Sequence, residues 1–171
     1  MTELRTDRLI LRRARLEDIE AMHAVLSDEA AMRYWTNGPH TELAETERWL
    51  RSMIDSPREL SDDFVVTLDG EPIGKMGAWR LPEFGFILRS DQWGRGFAAE
   101  ALGAFLDYMF QGRGVESLTA DVDPRNAASL RLLKARGFVE TGYKAGNWTT
   151  HIGVCDSVFL ELQRDAWLSE G

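Results

Sequence analysis

The sequence predicts a single α/β (α+β) domain with a mixed, mostly antiparallel central sheet flanked by helices, and three observations support this fold class. Short β-rich runs and stretches with helical periodicity are interleaved along the whole chain. Too many β-rich runs follow one another directly for regular βαβ alternation, which argues against a fully parallel sheet. No internal repeat, low-complexity segment or linker divides the chain, so residues 1–171 are assigned to one domain.

The individual elements follow from hydrophobic spacing and from residues that start or stop helices. Thr41 and Asn126 are the predicted N-caps of the second and the last helix, and Gly137 is the predicted stop of the last. The predicted helices cover 16–28, 41–54, 95–110 and 126–136. The predicted strands are 8–14, a hairpin over 63–79 that turns at Asp69-Gly70, and then 83–88, 117–122, 138–144 and 155–162.

Composition and charge exclude several classes of protein. A net charge of -8 argues against broad nucleic-acid binding, which usually requires a basic surface. No apolar run approaches the ~18 residues of a membrane span, and the charged start of the sequence lacks the apolar core of a signal peptide. The single cysteine, Cys155, cannot form an intrachain disulfide. We therefore expect a cytoplasmic protein with no nucleic-acid or membrane partner.

The stretch DQWGRGFAAEAL, residues 91–102, places two glycines around Arg95 directly before a predicted helix. A bare backbone at a helix N-terminus is typical of a phosphate-binding loop. No Lys-Ser or Lys-Thr pair follows, which argues against a nucleoside-triphosphate P-loop. Gly94, Gly96 and Ala99 match the dinucleotide pattern G-x-G-x-x-G/A, but five residues separate Gly94 from the preceding strand, whereas that motif begins directly after its strand. A simple tight turn at a helix start is the remaining alternative.

The order of these segments resembles the GNAT superfamily of acyl-CoA-dependent N-acyltransferases. WGRGFA follows a strand and opens a helix, and a later strand runs into DPRNAASLRLLKARGF, as in that superfamily. LRTDRLILRRARLEDIEAM is similar to its opening strand and helix, and CDSVFLELQRDAW to its closing strand, so the resemblance spans nearly the whole chain. Together the segments resemble the Rim-type branch of ribosomal-protein N-terminal acetyltransferases. One departure is Trp93, which occupies the first position of the Q/R-x-x-G-x-G/A loop.

The resemblance implies acetyl-CoA as cosubstrate, and no metal is expected because the three histidines have no ligand spacing. The pyrophosphate would bind free N–H groups at the start of the 95–110 helix, where the helix dipole favours negative charge. The pantetheine arm would pair with the main chain of 86–88 like an added strand, and a backbone N–H there would hold the oxyanion. Asn126 would bind the same arm while capping its helix. The cofactor-binding residues implied in this way are Phe86, Ile87, Leu88, Trp93, Gly94, Arg95, Gly96, Phe97, Ala98, Ala99, Asn126 and Ser129.

Transfer to an amine requires a base for the acceptor and benefits from an acid for the leaving thiolate. Glu83 is the candidate base, because it opens the strand beside which the resemblance places the acetyl group; a structural carboxylate at a hairpin end is the alternative. Ser129 is the preferred acid, as the Rim-type branch implies, and Tyr108 is its competitor. Tyr108 lies outside the apolar stripe of its helix, which favours a solvent-facing or interface position. Cys155 lies in an apolar run typical of inert buried cysteines, so we expect direct attack without an acyl-enzyme.

The acceptor is the part of the function that the sequence defines least. In the superfamily it binds between the segment after the first strand and the loop before the last, which here hold Tyr34 and Trp35, and then Trp148 and His151. With Glu83, the three aromatic residues are the predicted substrate-binding set; aromatic packing at the ends of elements is the alternative. The candidate acceptors are a protein N-terminus, a polyamine or another small amine.

A noncatalytic function is the alternative to an enzyme. The same fold could serve as a CoA-binding module or as a dimeric interaction protein, and a homodimer is left open in either case. Loss of the glycine loop would favour such a module. The intact loop, together with Asn126 and Glu83, favours an N-acetyltransferase.

Overall fold

A sheet of eight strands forms the centre of residues 2–170, the part of the chain that the computed structural model describes. The strands are β1 (Leu4–Arg5), β2 (Leu9–Arg12), β3 (Asp62–Leu68), β4 (Glu71–Arg80), β5 (Glu83–Leu88), β6 (Ser117–Val122), β7 (Val139–Thr150) and β8 (Gly153–Gln163). Their order across the sheet is β1-β2-β3-β4-β5-β6-β8-β7, and every neighbouring pair is antiparallel except β5 and β6. The predicted mixed, mostly antiparallel sheet is confirmed.

Helices pack on both faces of this sheet. They are α1 (Ile19–Leu26), α2 (Leu43–Asp55), α3 (Phe97–Asp107), α4 (Ala127–Ala135) and α5 (Arg164–Ser169). The larger apolar cluster lies under α3 and α4, and a smaller one packs α1 and α2 against Val65 and Ile87. Because successive strand side chains point to opposite faces, Phe84 and Leu88 of β5 belong to the larger cluster. None of the helices within residues 2–170 combines the length and apolar composition needed to cross a bilayer.

Aromatic side chains join α3 to the middle of the sheet. Phe105 is fully buried, and its ring centroid lies 6.3 Å from that of Phe64 on β3 and 5.7 Å from that of Phe84 on β5. Phe84 also packs against Phe138, just before β7, at 5.4 Å. These contacts hold α3 over both halves of the sheet, and thereby hold its N-terminus near the end of β5.

The hairpin of β3 and β4 turns at the predicted residues. Asp69 and Gly70 both have positive φ angles, 50° and 86°, as a tight two-residue turn requires. The bounds of β5 and β6 also match the predicted strands at 83–88 and 117–122.

The prediction that Thr41 caps the second helix is wrong by one residue. Glu42 is the N-cap of α2, and the Glu45 side chain reaches back to the backbone N–H of Glu42, as in a capping box. The Glu45 carboxylate accepts hydrogen bonds from the N–H groups of Thr41 and Glu42, at 2.7 and 3.0 Å. Glu42 has an extended backbone conformation, and the helix itself begins at the next residue, Leu43.

Two other predicted elements have different bounds from those expected. The strand predicted over 8–14 is β2, which ends at Arg12, where the guanidinium binds the Asp18 carboxylate of the turn that leads into α1. The helix predicted over 95–110 begins at Phe97, because Gly96 has a left-handed φ of 81°. It continues past Asp107 as a π-helical turn, Tyr108–Gly112.

The sequence pattern predicted a solvent-facing or interface position for Tyr108, and the solvent-facing position is wrong. It is partly buried against the larger core cluster, and its ring packs edge-on against Phe64 with centroids 5.4 Å apart. Tyr108 lies three residues after Phe105 and therefore beside it on the helix surface. The buried stripe of α3 is wider than the spacing of its aliphatic residues indicated.

Replacing Phe105 with alanine tests this core. The variant loses the ring between Phe64 and Phe84, and we expect the free energy of unfolding to fall by ~3–5 kcal/mol in chemical denaturation. Leu60→Ala is the control, because Leu60 is 62% exposed and its removal should cost less than ~0.5 kcal/mol. Equal losses in the two variants would contradict the packing of α3 described here.

Candidate active site

Strands β5 and β6 are hydrogen-bonded at one end only. Their register contains a single pair, Glu83 with Thr119, next to which the Thr119 N–H donates to the Pro82 carbonyl oxygen at 2.9 Å. Beyond this pair the parallel strands separate, while each keeps its other neighbour, β4 or β8. Within the described chain, the edge of β5 that faces β6 therefore has no strand partner from Phe84 to Leu88. A ligand with amide groups can pair with such an edge as an added strand.

The glycine loop connects the end of β5 to an uncapped helix. Gly94 and Gly96 both have positive φ, 73° and 81°, and Gly96 is the N-cap of α3. Gly96 has no side chain with which to cap α3, whereas the Asn126 side chain caps α4. The first N–H groups of α3, from Phe97 to Ala99, are thus available to an anion. An uncapped helix start beside a free strand edge fits the pyrophosphate and the amide-bearing pantetheine arm of coenzyme A.

Trp93 has a structural role in this loop. Its indole N–H donates to the carbonyl oxygen of Leu88, the last residue of β5, at 3.0 Å. Trp93 thereby closes the loop onto the strand in place of the glutamine or arginine usual at this position. Arg95 donates to the Gln92 side-chain oxygen at 2.9 Å and lies over the Phe97 ring, 4.7 Å from its centroid. Its positive charge is therefore held beside the start of α3.

The first strands of the chain support the loop through Arg8, which sequence reasoning missed. The Arg8 guanidinium donates to the Arg95 carbonyl oxygen at 2.9 Å and pairs with Glu100 at 2.7 Å. Glu100 lies in the first turn of α3, where an unpaired carboxylate would repel a phosphate group. Burial acts to raise the pKa of Glu100, but hydrogen bonds from Thr6 and Arg8 outweigh it and lower this pKa below its usual value. The carboxylate is thus ionised and its charge is offset by Arg8.

The separation of β5 and β6 beyond the pair Glu83–Thr119 leaves an opening between the two strands. Glu83 lies at its closed end, where the strands are still hydrogen-bonded. The pKa of Glu83 is raised, chiefly because burial disfavours its charged form and secondly because the Asp121 carboxylate is near; the Trp79 side chain and the Arg80 charge act in the opposite direction. A carboxylate with a raised pKa is a stronger proton acceptor, as a general base requires. Glu83 lines a cavity of ≈ 220 Å³ together with residues of β6, β7 and β8, which are Thr119, Ala120, Asp121, Thr141, Phe159 and Leu160.

Asp121 is a second acidic residue of this cavity that sequence reasoning missed. The Trp148 indole N–H donates to Asp121 Oδ2 at 2.8 Å, so the predicted Trp148 does reach the site. The sequence contained a signal for Asp121. Residues 118, 120 and 122 of β6 are buried in the core, and strand alternation places Thr119 and Asp121 together on the opposite face.

Asn126 and Ser129 lie at the junction of β6 and α4. The predicted cap is confirmed, because Asn126 Oδ1 accepts a hydrogen bond from the Ser129 N–H at 3.2 Å. This bond uses the amide oxygen of Asn126 and leaves its NH₂ group as a donor. Tyr108 packs on β3, two strands away from β5.

The two segments predicted to surround the acceptor do meet. His151 Nε2 lies 3.0 Å from the Met32 carbonyl oxygen, which joins the turn between β7 and β8 to the segment after α1. The Tyr34 hydroxyl donates to the Arg125 carbonyl oxygen at 3.3 Å, next to the junction that holds Asn126. Trp35 packs against the small cluster under α1 and α2, which agrees with the alternative of aromatic packing at the end of an element.

Cys155 is buried, as its apolar surroundings in the sequence predicted. Its sulfur lies 3.1 Å from the Arg125 guanidinium and 3.3 Å from the Thr150 hydroxyl. Among residues 2–170, no group of three or more His, Cys, Asp or Glu side chains is arranged to hold a metal ion.

The half-open strand pair, the uncapped helix and the carboxyl group at their closed end define the class of protein as an acyl-CoA-dependent N-acetyltransferase. The model of the acetyltransferase (GNAT) domain family matches residues 8–139, and the chain belongs to this family. Both the family and the enzyme class predicted from the sequence are thereby confirmed.

Individual relatives support the same assignment. The uncharacterized N-acetyltransferase p20 of Bacillus licheniformis is 30% identical over 155 residues, which cover 83% of this chain and 85% of that protein. The spermidine N(1)-acetyltransferase of Escherichia coli strain K12 is 28% identical over 138 residues, covering 77% of this chain and 73% of that protein. A structure of RimL, a ribosomal L7/L12 α-N-protein acetyltransferase in complex with coenzyme A, shares the fold with a TM-score of 0.84 and 19% identity; the match covers 96% of this chain and 99% of RimL.

A bulky side chain at Gly96 should interfere with cofactor binding. Gly96→Val places a branched side chain at the start of α3, and we expect CoA affinity to fall roughly tenfold or more, about 1.4 kcal/mol of binding free energy. Gly70→Val is the matched control, because Gly70 has a similar φ of 86° in the β3–β4 turn. Both variants should lose ~1–2 kcal/mol of stability through backbone strain. Unchanged CoA affinity by calorimetry in folded Gly96→Val would contradict binding at this loop.

The raised pKa of Glu83 also predicts a pH-dependent effect on stability. The folded-state pKa lies above the unfolded value of ~4.3. The stability contributed by the protonated group is therefore fully present below that pH and is lost as pH rises through the folded-state pKa. Glu83→Gln should raise the melting temperature relative to the wild-type protein at pH 8, and the difference should vanish near pH 4. A lower melting temperature at pH 8 would show that the ionised carboxylate stabilises the fold.

Proposed function

We propose that this chain transfers the acetyl group of acetyl-CoA to a primary amine, by direct attack of the amine on the thioester. The observation that carries this proposal is the position of Glu83, whose raised pKa occurs where the free edge of β5 begins. A carboxyl group that served only to end a hairpin would not need to line a cavity between β5 and β6.

Glu83 is the proposed base for the acceptor. An alkylammonium with a pKa of ~10.4 has no free lone pair at neutral pH. Glu83, directly or through a water molecule, accepts one proton from the nitrogen, which leaves the lone pair available. The neutral amine then attacks the thioester carbonyl carbon.

The free edge of β5 is proposed to position the thioester. The main chain of residues 86–88 pairs with the pantetheine arm, and a backbone N–H of this edge donates to the carbonyl oxygen as it becomes negatively charged. The NH₂ group of Asn126 donates to the same arm from the other side of the opening. Residues 93–99 hold the pyrophosphate at the start of α3.

Ser129 is the proposed acid for the departing sulfur. When the C–S bond breaks, the thiolate takes a proton from the Ser129 hydroxyl. As the amide forms, the acceptor nitrogen loses its remaining extra proton, which restores the Ser129 hydroxyl directly or through water, and Glu83 releases its own proton to solvent. Because a thiol has a pKa near ~8.5, the thiolate also leaves tolerably well without this proton.

The acceptor is proposed to be a cationic amine, with a polyamine as the first candidate. Two carboxyl groups, Glu83 and Asp121, line the cavity, and negative walls attract cations. The relative named spermidine N(1)-acetyltransferase supports this candidate. A protein N-terminus, the substrate type in the name of RimL, and other small amines are the competing acceptors.

Two variants test the proposed acid and base. Glu83→Gln should lower kcat/KM by ~10²–10⁴-fold, and the loss should shrink as pH rises because more of the amine is then already neutral. Ser129→Ala should lose less activity, and its loss should grow as pH falls. The measurement is kcat/KM against pH with one confirmed amine. An unchanged acid limb in Glu83→Gln would make Glu83 a structural carboxylate, and an acetyl group trapped on Cys155 would contradict direct attack.

An acceptor screen tests the substrate class. Purified protein with acetyl-CoA is offered spermidine, smaller amines and N-terminal peptides, and free thiol release is measured. We expect spermidine to give the highest kcat/KM and to lose rate as salt is added, because screening weakens the attraction of a charged substrate. A faster reaction with a peptide N-terminus would contradict the polyamine. Tight CoA binding with no thiol release for any amine would favour the noncatalytic module.

A homodimer is a separate proposal, carried by the outer strand β7. One edge of β7 has no strand partner in the described chain, and Val139, Tyr143 and Trp148 are among its exposed side chains. An exposed strand edge of this length is a template for pairing with a second copy. Light scattering after size-exclusion chromatography distinguishes the monomer from the dimer.

A further inference from the structure

Two acidic side chains approach each other where β5 and β6 are joined. Glu83 pairs with Thr119, and Asp121 lies two residues further along β6, on the same face of that strand as Thr119. Both carboxyl groups line one cavity. Their relative position is set by the one residue pair that bonds the two strands, so it does not depend on a flexible loop.

The carboxyl group of Asp121 is held by a side chain of β7, two strands away in the sheet. Trp148 on β7 donates its indole N–H to Asp121 Oδ2 at 2.8 Å, and Phe159 of β8 lies directly opposite Asp121 in the strand register. The partner of Asp121 is thus a neutral indole. Asp123, two residues further on, is instead paired with the Arg125 guanidinium at 2.6 Å. The indole orients the Asp121 carboxylate without neutralising its charge.

The charged and polar groups that act on Glu83 come from two strands. Trp79 and Arg80 lie on β4 and Asp121 lies on β6, whereas Glu161 of β8 stands opposite Thr119, one strand further away. Arg80 favours the ionised form of Glu83, whereas Asp121 opposes it, and the net result is a raised pKa with Asp121 as the second cause after burial. Asp121 is therefore the charged neighbour that strengthens Glu83 as a proton acceptor.

We propose that Asp121 is a positioning residue for acetyl transfer: Trp148 fixes its carboxylate beside Glu83, and this fixed negative charge makes Glu83 the stronger base. The inference rests on the proposed role of Glu83. When the acceptor is deprotonated, an N–H bond breaks and an O–H bond forms on Glu83, while Asp121 exchanges no proton. The protonated Glu83 no longer repels Asp121, which favours the transfer.

The test compares pH profiles of kcat/KM for the wild-type protein and three variants, with one confirmed amine. Asp121→Asn should move the midpoint of the acid limb down by roughly half a pH unit or more and lower the plateau roughly threefold to tenfold, because Glu83 becomes a weaker base. Trp148→Phe should shift the midpoint in the same direction by less, since the carboxylate remains but is no longer held. Glu161→Gln is the matched control and should leave the midpoint unchanged.

The outcomes separate this inference from the function on which it rests. If Glu83→Gln retains the acid limb, the role of Glu83 is overturned and the inference with it. If Glu83→Gln loses the limb but Asp121→Asn and Trp148→Phe keep the wild-type midpoint, only the inference is overturned. A higher KM in Asp121→Asn with an unmoved midpoint would also overturn it, because Asp121 would then bind the acceptor cation directly.

Discussion

The single residue pair that joins β5 to β6 is the constraint on which the rest of this structure depends. One hydrogen-bonded half of the sheet ends at β5 and the other begins at β6, and only Glu83 and Thr119 connect them in register. The opening does not collapse, because aromatic packing spans it from one face. Phe84 of β5 contacts both Phe105 of α3 and Phe138 of the other half. The core thus packs across both halves of the sheet, although their strands pair at one point only.

The carboxyl groups of this fold have two kinds of partner, cationic side chains or neutral indole groups. Asp62 at the start of β3 is buried and Asp63 beside it is partly buried, and both are paired with cations; Asp63 accepts from the Lys75 ammonium at 2.6 Å. Such pairing offsets the cost of burying a charge. Glu83 and Asp121 instead have neutral indole partners, Trp79 for Glu83 and Trp148 for Asp121. Burial and the nearby Asp121 carboxylate destabilise the ionised form of Glu83 more than Arg80 stabilises it, and the same destabilisation makes a carboxylate useful as a base.

Local sequence signals predicted the elements well where the backbone itself determines the outcome. The Asp69-Gly70 turn, β5, β6 and the Asn126 cap depend on residues close in sequence, and each was found as predicted. Within the candidate site, the sequence motif predicted the glycine loop and the helix that begins directly after it.

Contacts between distant segments could not be predicted in the same way. Arg8 and Glu100 are 92 residues apart, and Trp148 and Asp121 are 27 apart. No periodicity in the chain relates the members of either pair, because the sheet order β6-β8-β7 and the packing of α3 bring them together. The buried position of Tyr108 was missed for a similar reason, since it depends on where β3 passes under the helix.

The bond between Arg8 and the Arg95 carbonyl oxygen makes the first strands of the chain a part of the cofactor loop. Terminal segments are usually the places where a protein tolerates trimming, tags and insertions. In this protein such changes near β1 and β2 would remove the cation that offsets Glu100 and supports the backbone around Gly96. A shortened chain could keep its core and still bind its cosubstrate poorly, so a loss of binding would resemble a defect in the loop although the loop sequence was intact.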